Sequence, residues 1–218
     1  MSGASPRREP LGNARAARAS IYASLAEVFT SPPSTERVRS LRQMAEALRL
    51  DCPQEWVLSD LEDEYRALFV IPGPRYVAPY ESVYRDAWQL PSEPCGGSRD
   101  GTTSRMIKGL VMGESTAAVR ACYQQAGVAP SEELPDHIGN ELRFMAYLWE
   151  READAPGGDG QMLASLRARF RDQHLLQWVG QLRSRVLESE RLGYFPVALQ
   201  IVETVLQDEQ ETPPRDDA

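Results

Sequence analysis

Apolar residues recur along most of this chain every three or four positions, which is the spacing of one face of an α-helix. No run combines the alternation of a β-strand with the turn residues of a hairpin. The pattern therefore predicts an all-α protein, a helical bundle of two closely packed lobes. The clearest series are Ile21, Leu25 and Val28; Leu41, Met44 and Leu48; Leu58, Leu61, Tyr65 and Leu68; and Phe195, Leu199, Val202 and Leu206.

Proline, glycine and charge mark the predicted boundaries of the helical region. Residues 1–12 are polar with two prolines and residues 208–218 are acidic, so we expect a disordered leader and a disordered tail. Residues 71–104 hold five prolines and four glycines, which predicts an ordered connection between the lobes. Residues 13–207 then form a single helical domain.

The charge balance limits the classes of partner. The formal net charge is −8, which disfavours nucleic acid and anionic membranes because both are polyanions. A basic peptide remains compatible with this balance. No stretch approaches the roughly 18 uninterrupted apolar residues of a membrane span, so we expect no stable membrane association.

Cysteine usage and the N-terminus predict a cytoplasmic protein. Cys52, Cys95 and Cys122 are odd in number, widely spaced and outside any Cys-x-x-Cys pair, which is typical of a reducing compartment. Arg7 and Arg8 resemble the start of a twin-arginine export signal. Polar residues and proline follow them where an export signal needs an apolar run, so we expect that the protein itself is not exported.

The segment from Pro135 to Met145 joins a helix start to titratable side chains. Pro135 and Asp136 suit the first turn of a helix, and Asp136 is expected to cap it. His137 and Glu141 lie one turn apart, beside the apolar stripe, and are able to interact. Two roles stay open for them: a hydrogen-bonded pair that ties this helix to a neighbour, or part of a recognition groove.

Metal and phosphate sites are not predicted. A metal centre at His137 and Glu141 would need one or two further ligands, and the only other histidine, His174, lies with Trp178 in a helical apolar series typical of a core. Residues 96–103 have the glycine spacing of a phosphate loop. The required lysine is replaced by threonine and no apolar strand precedes the segment, so we interpret it as a surface loop.

Aromatic residues are concentrated in the predicted connection. Aromatic side chains in such a place either fill the gap between two lobes or present an amphipathic surface to a peptide. Both roles stay open from the residues alone. The residues concerned are Tyr76, Pro79, Tyr80, Ser82, Tyr84 and Trp88.

Four segments taken together resemble one protein family. Pro-Asp-His-Ile is followed by Glu-Leu-x-Phe-Met within Pro135–Met145, and Pro79–Tyr84 reads Pro-Tyr-Glu-Ser-Val-Tyr. His174–Trp178 reads His-Leu-Leu-Gln-Trp, and Gly193–Phe195 places an aromatic pair before the last helix. Their order and spacing, over roughly residues 14–206, resemble the TorD-like family of cytoplasmic chaperones dedicated to molybdenum-cofactor oxidoreductases.

The resemblance implies a chaperone without a cofactor of its own, not an enzyme. Its partner would be the catalytic subunit of a molybdenum-cofactor oxidoreductase, bound through its twin-arginine leader peptide until cofactor insertion and folding are complete. A groove between the lobes would hold the apolar part of the leader, with carboxylates at the rim meeting its arginines. The implied peptide-binding residues are Pro79, Tyr80, Ser82 and Tyr84 on one wall and Pro135, Asp136, His137 and Glu141 on the other.

The residues leave two other functions open. One is a helical adaptor without leader-peptide binding, for which Tyr80→Ala and Asp136→Ala would leave partner affinity unchanged. The other is a hydrolase or nucleotide-dependent enzyme using His137 and Glu141. The oligomeric state is equally open, because family resemblance and the long connection allow either a monomer or a dimer that exchanges lobes.

Overall fold

The computed structural model describes residues 11–53, 55–90, 105–129, 134–155 and 158–211. Within these ranges the chain forms nine α-helices and one pair of short strands. The helices are α1 (Leu11–Thr30), α2 (Thr35–Ala47), α3 (Leu58–Tyr65), α4 (Glu81–Arg85), α5 (Glu114–Gln125), α6 (Ile138–Asp154), α7 (Gly158–Phe170), α8 (Leu176–Ser189) and α9 (Tyr194–Glu211), and the strands are β1 (Ala87–Leu90) and β2 (Arg105–Lys108).

Two helices include a wider turn in which the backbone hydrogen bonds span five residues. One such π-helical turn, Arg66–Val70, continues α3, and the other, Arg171–Leu175, joins α7 to α8. Turns of this kind occur mostly as single insertions and are frequent at functional sites. The second π-helical turn contains His174.

The core is built around the pairing of α1 with α6. Helix α7 packs on α6, α9 packs on α8 and also reaches α1, and α4 packs between α5 and α8. The buried apolar residues form one cluster, so the first three helices and the later ones share a single core. This arrangement confirms the all-α class. Among the described helices, none has the length and apolar character that crossing a bilayer requires.

The predicted connection, residues 71–104, contains regular structure that the sequence pattern did not predict. It includes the short helix α4 and strand β1, which pairs antiparallel with β2 so that Ala87 faces Lys108. Four-residue strands are too short to show a recognisable alternation of apolar and polar residues. The glycine-rich segment 96–103 lies outside the described residues.

The last helix extends further than the sequence predicts. Helix α9 ends at Glu211, inside the segment expected to be a disordered tail, and Glu209 in its last turn is buried. Arg167 Nη1 donates to Glu209 Oε2 at 3.1 Å, and the Arg167 guanidinium lies 3.5 Å from the ring centroid of Trp149. Helix α9 therefore continues into the segment predicted to be disordered, because a buried ion pair stabilises this turn. Residues 1–10 and 212–218 lie outside the described residues.

The close approach of α1 to α6 provides a test of this packing. A Cβ atom added at Gly139 would lie 2.2 Å from Thr30 Cγ2 and 3.2 Å from the Ala26 carbonyl oxygen. We expect Gly139→Ala to lower the free energy of unfolding by ~1–3 kcal/mol, because the helices must move apart. Urea denaturation measures this change.

The matched control is Gly158→Ala in the first turn of α7. No described atom outside its immediate neighbours lies within 4 Å of an added Cβ there, so the substitution should leave stability unchanged or raise it slightly. Equal losses for the two variants would contradict the close packing at Gly139.

Candidate functional site

The two predicted walls of the site meet at a short antiparallel bridge. Tyr80 and His137 are the bridge partners, and their rings lie edge to face with centroids 5.3 Å apart. Both side chains are half-buried, so the ring pair lies at the boundary between core and surface. The two backbone hydrogen bonds, each 2.9 Å long, run from Glu81 N–H to the Asp136 carbonyl and from Ile138 N–H to the Pro79 carbonyl.

Asp136 does not cap helix α6, which corrects the expectation from the sequence. The N-cap is His137, whose Nδ1 accepts a hydrogen bond from the Gly139 N–H at 3.0 Å. Asp136 is fully buried, and its Oδ2 accepts from the Ser82 N–H at 3.1 Å in the first turn of α4. A carboxylate there meets unpaired N–H groups and the positive end of a helix. Asp136 therefore joins the start of α6 to α4.

A cluster of buried titratable side chains lies behind the bridge. Glu81, on α4, is fully buried, and its carboxylate is paired with Arg85 and with His174, whose Nδ1 lies 2.9 Å from Glu81 Oε2. Glu141, on α6, is also fully buried and accepts a 3.1 Å hydrogen bond from Trp178 Nε1. Four elements, namely α4, α6, α8 and the π-helical turn, thus contribute to one polar cluster.

The protonation states in this cluster follow from burial and from the neighbouring charges. Burial raises the pKa of Glu141 well above its ordinary value, and the adjacent carboxylate of Glu81 raises it further. The protonated form of Glu141 is therefore favoured beside the carboxylate of Glu81. Burial alone would lower the pKa of His174, but its hydrogen bonds to Cys122 and Glu81 outweigh burial and raise it to about 9. The imidazole of His174 is accordingly protonated.

The sequence suggested that the side chains of His137 and Glu141 form a hydrogen-bonded pair. In the structure each of them bonds with other partners. Glu141 accepts from Trp178 and lies near the carboxylate of Glu81, and the ring of His137 accepts from the backbone of α6. The partner of Glu81 is His174, which the sequence placed in the core by its apolar neighbours. A single buried glutamate produces no periodic signal, so the sequence offered no means of identifying Glu81.

The eight predicted peptide-binding residues surround the bridge, but their exposure differs. Tyr84, for example, stacks on Trp178 with ring centroids 5.5 Å apart and donates from its hydroxyl to the Ala78 carbonyl at 3.0 Å. Because Asp136 and Glu141 are 0% exposed, they do not form the acidic rim that the sequence predicted. Tyr80, Tyr84 and His137 are half-buried, whereas Pro79, Ser82, Pro135, Asp136 and Glu141 are buried.

A polar pocket of about 600 Å³ opens at the other end of α4. His174 forms part of its wall, so the pocket and the buried cluster share a side chain. Asp86 accepts from the Ser115 N–H at 3.0 Å and thereby caps helix α5. The charged residues of the lining are Arg85, Asp86, Glu114, Asp172 and His174.

The assignment of the proton to Glu141 provides a test. We expect Glu141→Gln to change the free energy of unfolding by less than ~1 kcal/mol, because glutamine is a neutral isostere of the protonated acid. Glu81→Gln removes the charge that compensates Arg85 and His174 and should cost ~3–5 kcal/mol. Guanidinium denaturation at pH 7 compares the two variants. If Glu141→Gln costs as much as Glu81→Gln, Glu141 carries a charge in the folded protein.

Comparison with known proteins identifies the family of this chain. Curated protein sequences give no match. A solved structure, a putative redox enzyme maturation protein from Archaeoglobus fulgidus, is similar with 17% identity and a TM-score of 0.49, covering 96% of this chain and 99% of that chain. The sequence model of the nitrate reductase delta subunit family matches residues 31–184, well over half of the chain. The chain therefore belongs to the nitrate reductase delta subunit family, which confirms its resemblance to the TorD-like chaperones.

Proposed function

We propose that this protein is a dedicated maturation chaperone that binds the twin-arginine leader peptide of a molybdenum-cofactor oxidoreductase catalytic subunit. It holds the leader until cofactor insertion and folding are complete. Family membership supports the maturation role. Leader binding is supported above all by one observation: an open pocket with three carboxylates lies beside an exposed apolar segment.

The pocket suits the arginines of a leader peptide. Asp86, Glu114 and Asp172 line it, and carboxylates bind the planar guanidinium of arginine through charge-assisted hydrogen bonds. The two cations of the lining, Arg85 and His174, are both bonded to the buried carboxylate of Glu81. Their charges are thereby offset from inside the protein. Asp172 is paired with Arg171, and Asp86 accepts hydrogen bonds from Ser115. In the described part of the chain, Glu114 is therefore the lining carboxylate left to attract a basic ligand.

In a leader peptide the apolar segment follows the arginines. On the protein surface, an exposed apolar segment likewise adjoins the acidic pocket. The first turn of α5 supplies Glu114 to the pocket, and the segment just before this helix contains Leu110, Val111 and Met112. Their side chains are 45%, 41% and 63% exposed, and adjacent exposed apolar residues are typical of an interaction surface. A leader that placed its arginines in the pocket would bring its apolar segment to these residues, in the helix-in-groove manner.

The residues predicted from the sequence then divide into two roles. Tyr80 and His137 present amphipathic rings at the N-terminal end of α4, and the pocket lies at its C-terminal end. Helix α4 has five residues, so these two surfaces are separated by about 7.5 Å of helix. Asp136 and Glu141 are buried, and they support the surface by fixing the position of α4.

The role of the pocket is tested by Glu114→Gln. We expect the variant to bind a labelled leader peptide about 3- to 5-fold more weakly, because an exposed ion pair contributes up to ~1 kcal/mol. The peptide is a synthetic twin-arginine leader of a molybdoenzyme catalytic subunit, and fluorescence anisotropy measures its affinity. Glu36→Gln is the matched control, because Glu36 also lies in the first turn of a helix, α2.

A second peptide, with both arginines replaced by glutamine, completes the test. Glu114→Gln should not weaken the binding of this peptide further, because the two changes remove the same interaction. Additive losses would place the arginines elsewhere on the surface. No association of the folded wild-type protein with the leader would remove leader binding as the function.

The apolar segment is tested separately by Leu110→Ser. We expect the leader to bind about 5-fold more weakly, because the variant loses part of a buried leucine contact worth ~1 kcal/mol or more. Leu187→Ser is the control: Leu187 is 52% exposed on α8, and it lies ten residues, or about 15 Å of helix, beyond the pocket residue Gln177. Equal losses in the two variants would contradict a specific role for the segment before α5.

A further inference from the structure

The buried cluster also contains a cysteine in contact with its histidine. Cys122 Sγ, on α5, lies 3.8 Å from His174 Nε2, and the opposite ring nitrogen of His174 lies 2.9 Å from Glu81 Oε2. The contacts therefore connect a sulfur nucleophile to an imidazole, and the imidazole to a carboxylate that orients it. The three residues come from α5, the π-helical turn and α4, so no spacing in the sequence predicts the arrangement.

This arrangement favours reaction at the sulfur. A nucleophile that is hydrogen-bonded to an imidazole, with a third group orienting the ring, is the general pattern of an activated side chain. The charged groups around His174 are Glu81 and Arg85 on α4, and Arg171 and Asp172 on its own π-helical turn. Because His174 Nε2 lies 3.8 Å from the sulfur and the opposite ring nitrogen is bonded to Glu81, the ring is oriented to exchange a proton at the sulfur.

The sulfur is also within reach of small molecules. Cys122 is partly exposed, and Ala118, one turn earlier on α5, lines the polar pocket together with His174. The other cysteine in the described part of the chain, Cys52, provides a contrast. Burial raises the pKa of its thiol, and its sulfur lies 3.7 Å from the Pro53 carbonyl oxygen.

We propose that Cys122 is a redox-sensitive thiol that a peroxide oxidises to sulfenic acid. The thiolate sulfur attacks one oxygen of the peroxide, an S–O bond forms and the O–O bond breaks. The leaving hydroxide, or the alkoxide from an alkyl peroxide, takes the Nε2 proton of His174 and departs as water or as an alcohol. Sulfur loses two electrons and the peroxide gains them, so no other reactant is needed. This proposal does not depend on leader-peptide binding.

The test uses the full-length protein and hydrogen peroxide, with dimedone to trap sulfenic acid and mass spectrometry to quantify each cysteine peptide. We expect Cys122 to be labelled at least ~10-fold faster than Cys52 in the same molecules. His174→Gln should reduce the rate at Cys122 to within about 2-fold of the rate at Cys52, because glutamine keeps a polar group but not the charge. Comparable rates for the two cysteines in the wild-type protein would overturn the proposal.

A second measurement covers the case in which His174→Gln does not fold. The chain has two histidines, so NMR can follow the titration of His174 in the wild-type protein and in Cys122→Ser. The hydrogen bond to Cys122 helps to raise the pKa of His174, so the serine variant should titrate at lower pH. An unchanged pKa would show that the sulfur and the ring do not interact, and would overturn the proposal.

Discussion

The buried carboxylate of Glu81 is the charge on which the rest of the site depends. Taking a carboxylate out of water costs several kcal/mol, and the cost is offset only where good partners surround it. Here Arg85, His174 and the proton of Glu141 supply them. Arg85 belongs to the same short helix, but His174 and Glu141 come from distant parts of the chain. One buried charge thus holds α4 against α6 and against the π-helical turn.

One continuous helical stretch carries two side chains that bond with the buried carboxyl groups of Glu81 and Glu141. His174 and Trp178 are four residues apart and so share one face of the helix. His174 bonds with Glu81, and Trp178 donates to Glu141. The two carboxyl groups are therefore held by one rigid element. The need to reach both carboxyl groups from one helix face accounts physically for the four-residue spacing of histidine and tryptophan in the His-Leu-Leu-Gln-Trp segment.

The sequence predicted the elements of the site better than their burial. Helical periodicity identified the all-α class, and local segments identified Tyr80 and His137, which the structure brings into contact. Asp136 was assigned to the wrong helix, because local rules consider a cap only for the helix that follows in sequence. Glu209 and the pairing of Cys122 with His174 were missed for a similar reason: each depends on a partner more than forty residues away.

The charge count of the sequence also misrepresents this site, for a reason that applies to any buried cluster. The formal value of −8 treats every glutamate as ionised and both histidines as neutral. In the folded protein burial beside Glu81 raises the pKa of Glu141, and the pKa of His174 rises to about 9, so both groups hold a proton more strongly than they would in water. Without these protons two carboxylates would face each other at low dielectric beside an uncharged ring. Proton uptake on folding therefore favours burying these groups together, while the carboxylates of Glu81 and Asp136 position α4 and, through it, the wall of the pocket.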